Sequence, residues 1–496
     1  MKKEENLIEW LTEVAFNANI YDYGRYPIKG CGIWLPKGFE IRNKVLSIIR
    51  ELLYKTGHKE VLLPLLIPRD MLEKEAKHIA GFLDQVTTIL LIPRDMLEKE
   101  AKHIAGFLDQ VFWVTKGGDS KLEIELSLRP TSETSMTYYF KNLIISYRDL
   151  PLKVFQIVSI FRYETKATHP LIRVREVTTF KEAFTFHSSK EEAEKQMEEA
   201  FNIYSEFFKI LGIPYIAVER PSWDRFPGAE KSIAFDTILP DGKSLQIGSI
   251  HNLGQNFSKV FDAKFMRKDG NYDFLYQTSY GISERVIASL IIHYGDDIGV
   301  ILLPKIAPIQ IIIVPIFFEG MEETILNYSK EIYEILNVAG YKVEIDERKD
   351  VTPGEKFYYW ERQGVPLRLE IGPKEIKENS IRFVTRNGKK WNVEKEKILK
   401  EVKTVLANLE IELKEKVQEE MKSRIADITD IKEIEKVIQN KKFARFNICN
   451  KEKCGVYFEK FQGLKFLGYD VLLKKKGKCI ICGEETENLG YAGRSY

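Results

Sequence analysis

The sequence predicts about three domains: an α+β domain with an antiparallel sheet, then an α/β domain, then a small cysteine-containing domain. Three observations lead to this prediction. The length of 496 residues exceeds that of an ordinary single domain. Two β-rich runs flank a polar loop in the first half, and strands and helices alternate after residue 304. Finally, four of the five cysteines lie near the C-terminus.

The composition indicates a globular protein without a strong bulk charge. Hydrophobic residues make up 44% of the chain, and 75 Lys and Arg against 73 Asp and Glu leave a net charge of +2. Any contact with nucleic acid must therefore come from local patches. The N-terminus lacks an apolar signal region, and no run approaches about 18 apolar residues, so we expect a cytoplasmic protein without a membrane span. The few cysteines argue against a disulfide framework.

The first domain begins with a short helix and a loop rich in glycine and proline. Apolar residues at helical spacing predict an amphipathic helix over residues 39–53. Residues 57–68 are typical of a buried strand, but Pro64 interrupts it. Because proline cannot donate a ladder hydrogen bond, we expect Pro64 at an edge or an interface.

Residues 65–86 recur without a change as residues 90–111. Two copies are too few for a solenoid. The family resemblance described below implies a single copy, and so a recent duplication or an error in the gene model. The second copy runs directly into the sequence FWVTKGG. We therefore predict that the second copy occupies the native position in the fold and that the first is extruded.

The two β-rich runs, residues 155–163 and 174–183, predict a long antiparallel hairpin. Arg162, Glu164 and Arg173 lie on its strand ends and loop. A guanidinium binds phosphate or carboxylate through two hydrogen bonds, and a carboxylate beside it can accept from an amine. The alternative is a solvated strand face with a local ion pair.

A second charged group follows a predicted strand over residues 276–280. The chain turns at Gly281 into a helix near Ser283, which brings Ser283 and Arg285 to the helix N-terminus. Such an end binds anions through free N–H groups, and an arginine adds a full charge. The alternative is an ordinary helix cap with an exposed arginine.

Three segments carry a family resemblance. FRYE at residues 161–164, followed by Arg173 and then FKEA at residues 180–183, resembles motif 2 of class II aminoacyl-tRNA synthetases. LSLRPTSET at residues 126–134 and SYGISERVIAS at residues 279–289 narrow the resemblance to the prolyl-tRNA synthetases of the archaeal and eukaryotic type. The resemblance covers essentially the whole chain.

The resemblance implies an architecture. Residues 1–304 would form the catalytic domain with the class II synthetase fold, residues 305–408 an anticodon-binding domain, and residues 409–496 a C-terminal zinc-binding domain. The helix at residues 39–53 and the apolar segment after it would build a homodimer interface, and the extruded copy would lie near that face. An edge strand of a monomer is the alternative.

The implied reaction is ATP-dependent activation of L-proline to prolyl-adenylate, with Mg²⁺ on the ATP phosphates, and transfer of proline to the 3′ end of tRNA(Pro). One alternative is a catalytically impaired paralogue that binds tRNA or senses amino acids. Another is a class II synthetase for a different amino acid, such as threonine or histidine.

The resemblance also implies roles for single residues. The catalytic residues would be Arg162, which bridges the proline carboxylate and the α-phosphate, and Arg285. Glu164 would bind adenine, and Arg173 and Arg285 the outer phosphates. The implied proline contacts are Thr131, Glu133, Arg162 and His251. The implied ATP contacts are Arg162, Glu164, Arg173, Gln246, Ser249, Ser283 and Arg285.

Two of the proline candidates also fit structural roles. A hydroxyl and a carboxylate, as on Thr131 and Glu133, match the two N–H donors of the proline ammonium, but the same spacing is common at helix caps. A lone histidine such as His251 is more often structural.

The chain departs from the family pattern at residue 184, where the family has histidine after Glu182-Ala183 and this chain has Phe184. This change could alter the proline pocket. In addition, too few residues separate the hairpin from Arg285 to hold the editing insertion of bacterial-type relatives. We therefore expect mischarging with alanine or cysteine.

A short linker at residues 304–308 precedes the second domain. Alternating strands and helices predict an α/β layer domain with a largely parallel sheet. Charged residues at its edge are candidates for contacts to anticodon guanines, namely Arg348, Lys356, Glu361, Arg368 and Lys374.

Residues 395–440 are charged and predict two exposed helices. The cysteine pairs that follow can close an all-thiolate zinc site, formed by Cys449, Cys454, Cys479 and Cys482. Free or catalytic thiols are the alternative, but no base adjoins them, which favours a structural metal. The resemblance further implies that the carboxylate of Tyr496 turns back toward the catalytic site.

Overall fold

The computed structural model describes residues 2–73 and 110–496. The chain divides into two compact units. Unit 1 contains Met1–Pro27, Gly32–Ser47 and Leu290–Glu420. Unit 2 contains Ile28–Cys31, Ile48–Ser289 and Met421–Tyr496. Compact packing and function divide a chain on different grounds, so the domain boundaries expected at residues 304 and 408 stay predictions.

The α-helices of the described residues are α1 (Leu7–Asn17), α2 (Pro36–Lys55), α3 (Glu133–Phe140), α4 (Lys190–Leu211), α5 (Asn256–Val260), α6 (Arg285–Tyr294), α7 (Glu322–Val338), α8 (Pro353–Arg362), α9 (Pro373–Lys377), α10 (Ile398–Ser423), α11 (Ile434–Gln439) and α12 (Glu452–Val456). The amphipathic helix predicted from residue 39 is confirmed as α2. None of these helices is both long and apolar enough to cross a membrane.

The strands of the described residues are β1 (Tyr21–Asp22), β2 (Ile33–Trp34), β3 (Lys59–Glu60), β4 (Leu66–Pro68), β5 (Trp113–Gly117), β6 (Ser120–Leu128), β7 (Leu152–Phe161), β8 (Glu176–His187), β9 (Ile216–Glu219), β10 (Lys231–Ile238), β11 (Lys243–Gly254), β12 (Lys264–Met266), β13 (Tyr272–Phe274), β14 (Tyr276–Ile282), β15 (Ile311–Pro315), β16 (Val343–Ile345), β17 (Leu367–Ile371), β18 (Ser380–Thr385), β19 (Lys390–Glu394), β20 (Ile425–Asp427), β21 (Phe443–Asn447), β22 (Lys465–Lys478) and β23 (Glu485–Ser495).

Unit 2 is built on an 11-stranded sheet in the order β20-β21-β23-β22-β9-β10-β11-β14-β8-β7-β3. The strands from β9 to β7 pair antiparallel with their neighbours, as predicted for the first domain. The predicted hairpin is confirmed as β7 and β8, with Phe155 opposite Ala183. The same sheet continues into the cysteine-containing region, because β22 pairs with β9.

Helix α4 covers one face of this sheet. Its N-cap Ser189 accepts a hydrogen bond from the Glu192 N–H at 3.3 Å. The Glu192 side chain accepts from Ser188, one residue earlier than in a standard capping box. The apolar face of α4 is buried against the sheet.

The segment around Pro64 is less regular than predicted. Only β3 pairs with the sheet, at its edge, and Pro64 is exposed. The buried strand expected over residues 57–68 is therefore wrong, and Pro64 lies in the irregular segment between β3 and β4. Leu62 is 78% exposed beside it.

Only the two ends of the repeat, residues 65–73 and 110–111, belong to the described residues. Strand β4, which belongs to the first copy, pairs with β6. Val111, the last residue of the second copy, packs against Ile67. The rest of the repeat lies outside the described residues, so the expectation that the second copy occupies the native position and the first is extruded stays a prediction.

Unit 1 contains a five-stranded sheet in the order β16-β15-β17-β18-β19. Strands β16, β15 and β17 are parallel, as predicted, but β18 and β19 pair antiparallel. The connection from β17 to β18 holds only the short helix α9, and a parallel crossover needs a dozen or more residues. Helices α7 and α10 supply residues to the apolar core of this sheet.

Candidate functional site

A cavity of about 650 Å³ opens on the sheet of unit 2. Its walls come from β7, β8, β10, β11 and β14 and from residues beside β23. Every residue that the sequence assigned to proline or ATP lines it, namely Thr131, Glu133, Arg162, Glu164, Arg173, Gln246, Ser249, His251, Ser283 and Arg285. Residues spread over more than a hundred positions of sequence therefore meet in one place.

Arg285 begins helix α6, and hydrogen bonds to backbone carbonyls orient its side chain. Its Nε donates to the Ile172 carbonyl at 2.7 Å and its Nη1 to the Gln246 carbonyl at 3.4 Å. Burial, with added repulsion from Arg162 and Arg173, lowers the pKa of Arg285 to about 10. The group still carries its charge at neutral pH.

Arg162 lies just past the end of β7. Its Nε donates to the Pro130 carbonyl at 3.2 Å, and its guanidinium carbon lies 6.0 Å from the centre of the Phe180 ring. Nearby, Arg173 and Glu164 form a long ion pair at 4.0 Å. The hairpin thus presents two arginines and one carboxylate to the cavity. The alternative of a local ion pair also applies, to Arg173 and Glu164.

Thr131 and Glu133 lie at the start of α3. The Thr131 hydroxyl donates to the Glu133 carboxylate. The N-cap residue of α3 is Ser132, whose side chain makes no capping hydrogen bond. The capping alternative for Thr131 is therefore wrong, and both side chains line the cavity.

Glu182 is a cavity residue to which the sequence assigned no role. Its carboxylate accepts from the Ser132 hydroxyl at 2.5 Å and from Gln156 Nε2 at 3.1 Å. Burial and the neighbouring Glu133 raise the pKa of Glu182 to about 7. The only sequence signal was its place in the FKEA segment, since strand alternation alone cannot distinguish a buried acid from an exposed one.

His251 is held between two hydroxyls. Its Nδ1 is 2.8 Å from Ser232 Oγ and its Nε2 is 3.0 Å from Ser249 Oγ, while Phe226 stacks on its ring. Burial and the charge of Arg220 lower the pKa of His251 to about 3. The imidazole is therefore neutral, and it is both hydrogen-bonded and part of the cavity wall.

Arg220 and Asp236 are further cavity residues that the sequence did not reveal. Their side chains form an ion pair at 2.8 Å. Arg220 follows a short strand with no motif around it, so no local pattern signals its position. Gln246, an ATP candidate, accepts a hydrogen bond from the same guanidinium.

Phe184 lines the cavity and also belongs to an apolar cluster with Phe186 and Met136. On the sheet it lies opposite Ser279 of β14. Phe184 thus contributes an aromatic ring to the apolar part of the wall at this point.

The C-terminus reaches the cavity. Ser495 pairs in parallel with Ser244 of β11, and Tyr496 lines the cavity. The Tyr496 hydroxyl donates to Asp241 at 2.5 Å, and its N–H donates to the Ser244 carbonyl at 3.1 Å. These contacts hold Tyr496 beside the cavity, and the direction of its carboxylate stays a prediction.

The four cysteines of the predicted zinc site come together beyond β21 and β22. Their sulfur atoms all lie within 4.8 Å of one another, and Cys449 Sγ is 3.6 Å from Cys482 Sγ. Tetrahedral zinc with sulfur at about 2.3 Å requires sulfur pairs about 3.8 Å apart. The chemistry and spacing of this donor set therefore fit a structural zinc ion, and no other such cluster occurs among the described residues.

The anticodon candidates lie in unit 1, and both arginines among them are hydrogen-bonded to nearby carboxylates. Arg348 makes two hydrogen bonds to the Asp346 carboxylate. Arg368 is bonded to Glu361 and Glu370. The last candidates differ in accessibility: Lys374 is exposed, whereas Lys356 is buried and donates to the Asp346 carbonyl at 3.0 Å.

Comparison with protein-family models gives two matches. The model "tRNA synthetase class II core domain (G, H, P, S and T)" matches residues 112–294. The model "Anticodon binding domain" matches residues 310–405. Together they cover most of the two larger predicted domains.

Curated relatives match the full length. A proline-tRNA ligase of Sulfurisphaera tokodaii is 47% identical over 504 residues, covering 100% of this chain and 99% of the relative. A proline-tRNA ligase of Saccharolobus islandicus is 45% identical over 501 residues, with the same coverage.

Solved structures agree. A Giardia lamblia prolyl-tRNA synthetase in complex with prolyl-adenylate has a TM-score of 0.91 and 32% identity, covering 100% of this chain and 99% of that one. A Cryptosporidium parvum prolyl-tRNA synthetase complexed with halofuginone and AMPPNP has a TM-score of 0.89 and 30% identity, with the same coverage. This chain therefore belongs to the prolyl-tRNA synthetases, within the class II aminoacyl-tRNA synthetases.

Proposed function

We propose that this chain activates L-proline with ATP and transfers it to tRNA(Pro) in the cavity of unit 2. The observation that carries the proposal is the convergence of Arg162, Glu164, Arg173 and Arg285 on that cavity, beside Glu133. This group of charges can bind a nucleoside triphosphate next to an amino acid. It also argues against the impaired paralogue, which has no need to keep all four.

In the proposed Michaelis complex, Arg162 contacts the proline carboxylate and the α-phosphate. Charge builds on that phosphate as the carboxylate oxygen attacks and pyrophosphate leaves, and a preformed guanidinium stabilises it without reorganisation. Arg173 and Arg285 hold the outer phosphates, and Glu164 accepts from the adenine amine. Magnesium, when bound with ATP, neutralises further phosphate charge. We assign ATP contacts also to Gln246, Ser249 and Ser283.

For proline, we propose that Thr131 and Glu133 bind the secondary ammonium. Glu182, joined to the same hydroxyl and carboxylate network, lies at the floor of this pocket. His251 is neutral, and two serines hold both of its ring nitrogens, so its ring supplies a shaped wall of the pocket. The phenyl rings of Phe180 and Phe184 can pack on the pyrrolidine ring.

We propose that the four-cysteine cluster binds a structural zinc ion and that unit 1 binds the anticodon. Of the five anticodon candidates, Lys374 is exposed in the free chain, whereas Lys356 is buried and must be uncovered before it can contact a base. Arg348 and Arg368 would exchange their hydrogen bonds to neighbouring carboxylates for hydrogen bonds to guanine edges. The cytoplasmic location stays a prediction.

We also propose a homodimer. Around the segment that the family uses for dimerisation, unit 2 exposes large apolar side chains, among them Leu62 at 78%, Ile145 at 67% and Ile124 at 58%. Apolar surface of this kind is costly in a monomer. Sedimentation of the purified chain should give a mass twice that of one chain. Leu62→Glu should lower the measured mass toward that of a single chain.

A pyrophosphate-exchange assay with each of the twenty amino acids tests the central proposal. We expect ATP-dependent exchange that is strongest with proline. Exchange driven by threonine or histidine would indicate a different specificity. A folded chain that binds tRNA but exchanges with no amino acid would favour the paralogue.

A further inference from the structure

Arg220 lies where the sheet of the catalytic region meets the strands of the C-terminal region. It follows β9 directly, and β9 pairs with β10 on one side and β22 on the other. The Arg220 N–H donates to the Ser232 carbonyl at 2.9 Å. The backbone of Arg220 is thus fixed at the junction of the two regions.

Its guanidinium contacts three different strands. Nη1 donates to the Leu467 carbonyl of β22 at 2.6 Å. Nη2 donates to the Asp236 carboxylate of β10 at 2.8 Å and to Gln246 Oε1 of β11 at 3.1 Å. The Arg220 and Asp236 side chains are only 11% and 1% exposed. A rigid fork with several donors can hold three acceptors at once, which an ammonium cannot do in the same geometry.

The contact to Gln246 fixes the direction of its amide. A guanidinium has only donors, so it selects the amide oxygen and leaves Nε2 as a donor toward the cavity. The Gln246 carbonyl meanwhile accepts from Arg285, so this one residue joins two arginines of the site. Without Arg220 the amide could rotate and present either end.

The junction is also close-packed on the side of β22. Gly468 has φ +138°, and a Cβ there would meet the Glu219 carbonyl oxygen at 2.3 Å. The pairing of β22 shifts register between Phe466 and Gly468. Only glycine allows this approach, which brings the Leu467 carbonyl within reach of Arg220.

We propose that Arg220 is a positioning residue that couples the C-terminal strand β22 to ATP binding by fixing the amide of Gln246. The inference rests on the proposed role of Gln246 as an ATP contact. It follows that displacement of β22 weakens ATP binding more than proline binding. Thr131 and Glu133 are not hydrogen-bond partners of Arg220, and Arg220→Lys keeps the positive charge that acts on His251.

Pyrophosphate exchange with separate titrations of ATP and proline tests this proposal. For Arg220→Lys we expect the KM for ATP to rise about ten-fold or more, and the KM for proline to change less than about two-fold. Arg445→Lys is the matched control, because Arg445 also pairs with a carboxylate, through two hydrogen bonds to Asp427 in the C-terminal region, and does not line the cavity. Its KM values should stay at the level of the unmodified chain.

A double-mutant cycle separates positioning from a general structural role. If Arg220 acts through Gln246, then Arg220→Lys should add little to the ATP effect of Gln246→Ala. Fully additive effects, or an equal rise in both KM values, would overturn the proposal. Gly468→Ala perturbs the same junction from the side of β22. A rise in the KM for ATP of this variant, without a rise in the KM for proline, would support the proposal.

Failure of the inference differs from failure of the proposed function. If the unmodified chain shows no proline-dependent exchange, the proposed function fails. If it exchanges normally and Arg220→Lys changes only the melting temperature, the coupling alone is wrong.

Discussion

Arg162 and Arg285 face the same cavity from different elements, and the charge of Arg162 contributes to the lowered pKa of Arg285. Two guanidinium groups placed so close repel one another in the free chain. A ligand with several negative charges removes that repulsion, and so the pair is suited to phosphates.

Replacement of Arg162 by alanine should abolish proline-dependent pyrophosphate exchange, with a loss of about 100-fold or more, because stabilisation of the developing phosphate charge is removed. Arg162→Lys keeps the charge but loses the planar guanidinium, so its exchange rate should fall between those of the unmodified chain and Arg162→Ala. Circular dichroism and the melting temperature should remain near those of the unmodified chain. Exchange close to normal in a folded Arg162→Ala chain would refute the assigned role.

The pH dependence of stability should reveal the buried carboxyl of Glu182. Its pKa is raised to about 7 in the folded chain, so the fold binds its proton more tightly than the unfolded chain does. Its contribution to the free energy of unfolding is therefore present at low pH and is lost as pH rises through about 7.

Comparison with Glu182→Gln isolates this contribution, since the buried histidines titrate in both chains. We expect urea unfolding to show that the stability of the unmodified chain, relative to the variant, falls between pH 5 and pH 8. A difference that stays flat over this range would mean that Glu182 titrates near its ordinary pKa.

Amino acids smaller than proline should be activated at a measurable rate. An apolar pocket rejects a ligand by only about 1–3 kcal/mol for each missing methylene. Adenylate formation with alanine and cysteine should therefore be detectable at high concentration, with glycine weaker than both. Strict proline exclusivity would show that the pocket contacts discriminate more strongly than their chemistry suggests.

Removal of zinc should destabilise the C-terminal region. Metal analysis of the purified chain should find about one zinc per chain, and Cys479→Ser should lower both the zinc content and the melting temperature. Cys31→Ser, at a cysteine outside the cluster, is the matched control and should keep its zinc. Zinc-free chains with an unchanged melting temperature would contradict a structural role.

Much of the fold and of the site could be predicted because local sequence patterns or short motifs determine it. The hairpin of β7 and β8 has strand composition on both sides of a polar loop, and Arg162, Arg173 and Arg285 lie in segments with a family resemblance. The cysteine pairs have ligand spacing that can be seen without a structure.

What was missed depends on contacts between distant residues. Arg220 acquires its partners Asp236 and Leu467 only when three strands assemble. Lys356 was expected at an edge because it is charged, but it is buried beside Asp346.

The sheet that runs unbroken from β3 to β20 has a consequence for truncation of this enzyme. A chain shortened before β22 would leave β9 with unsatisfied N–H and C=O groups along one side, and such an open edge invites pairing between molecules. Chains shortened to end after the anticodon-binding domain should therefore aggregate rather than yield a smaller active synthetase.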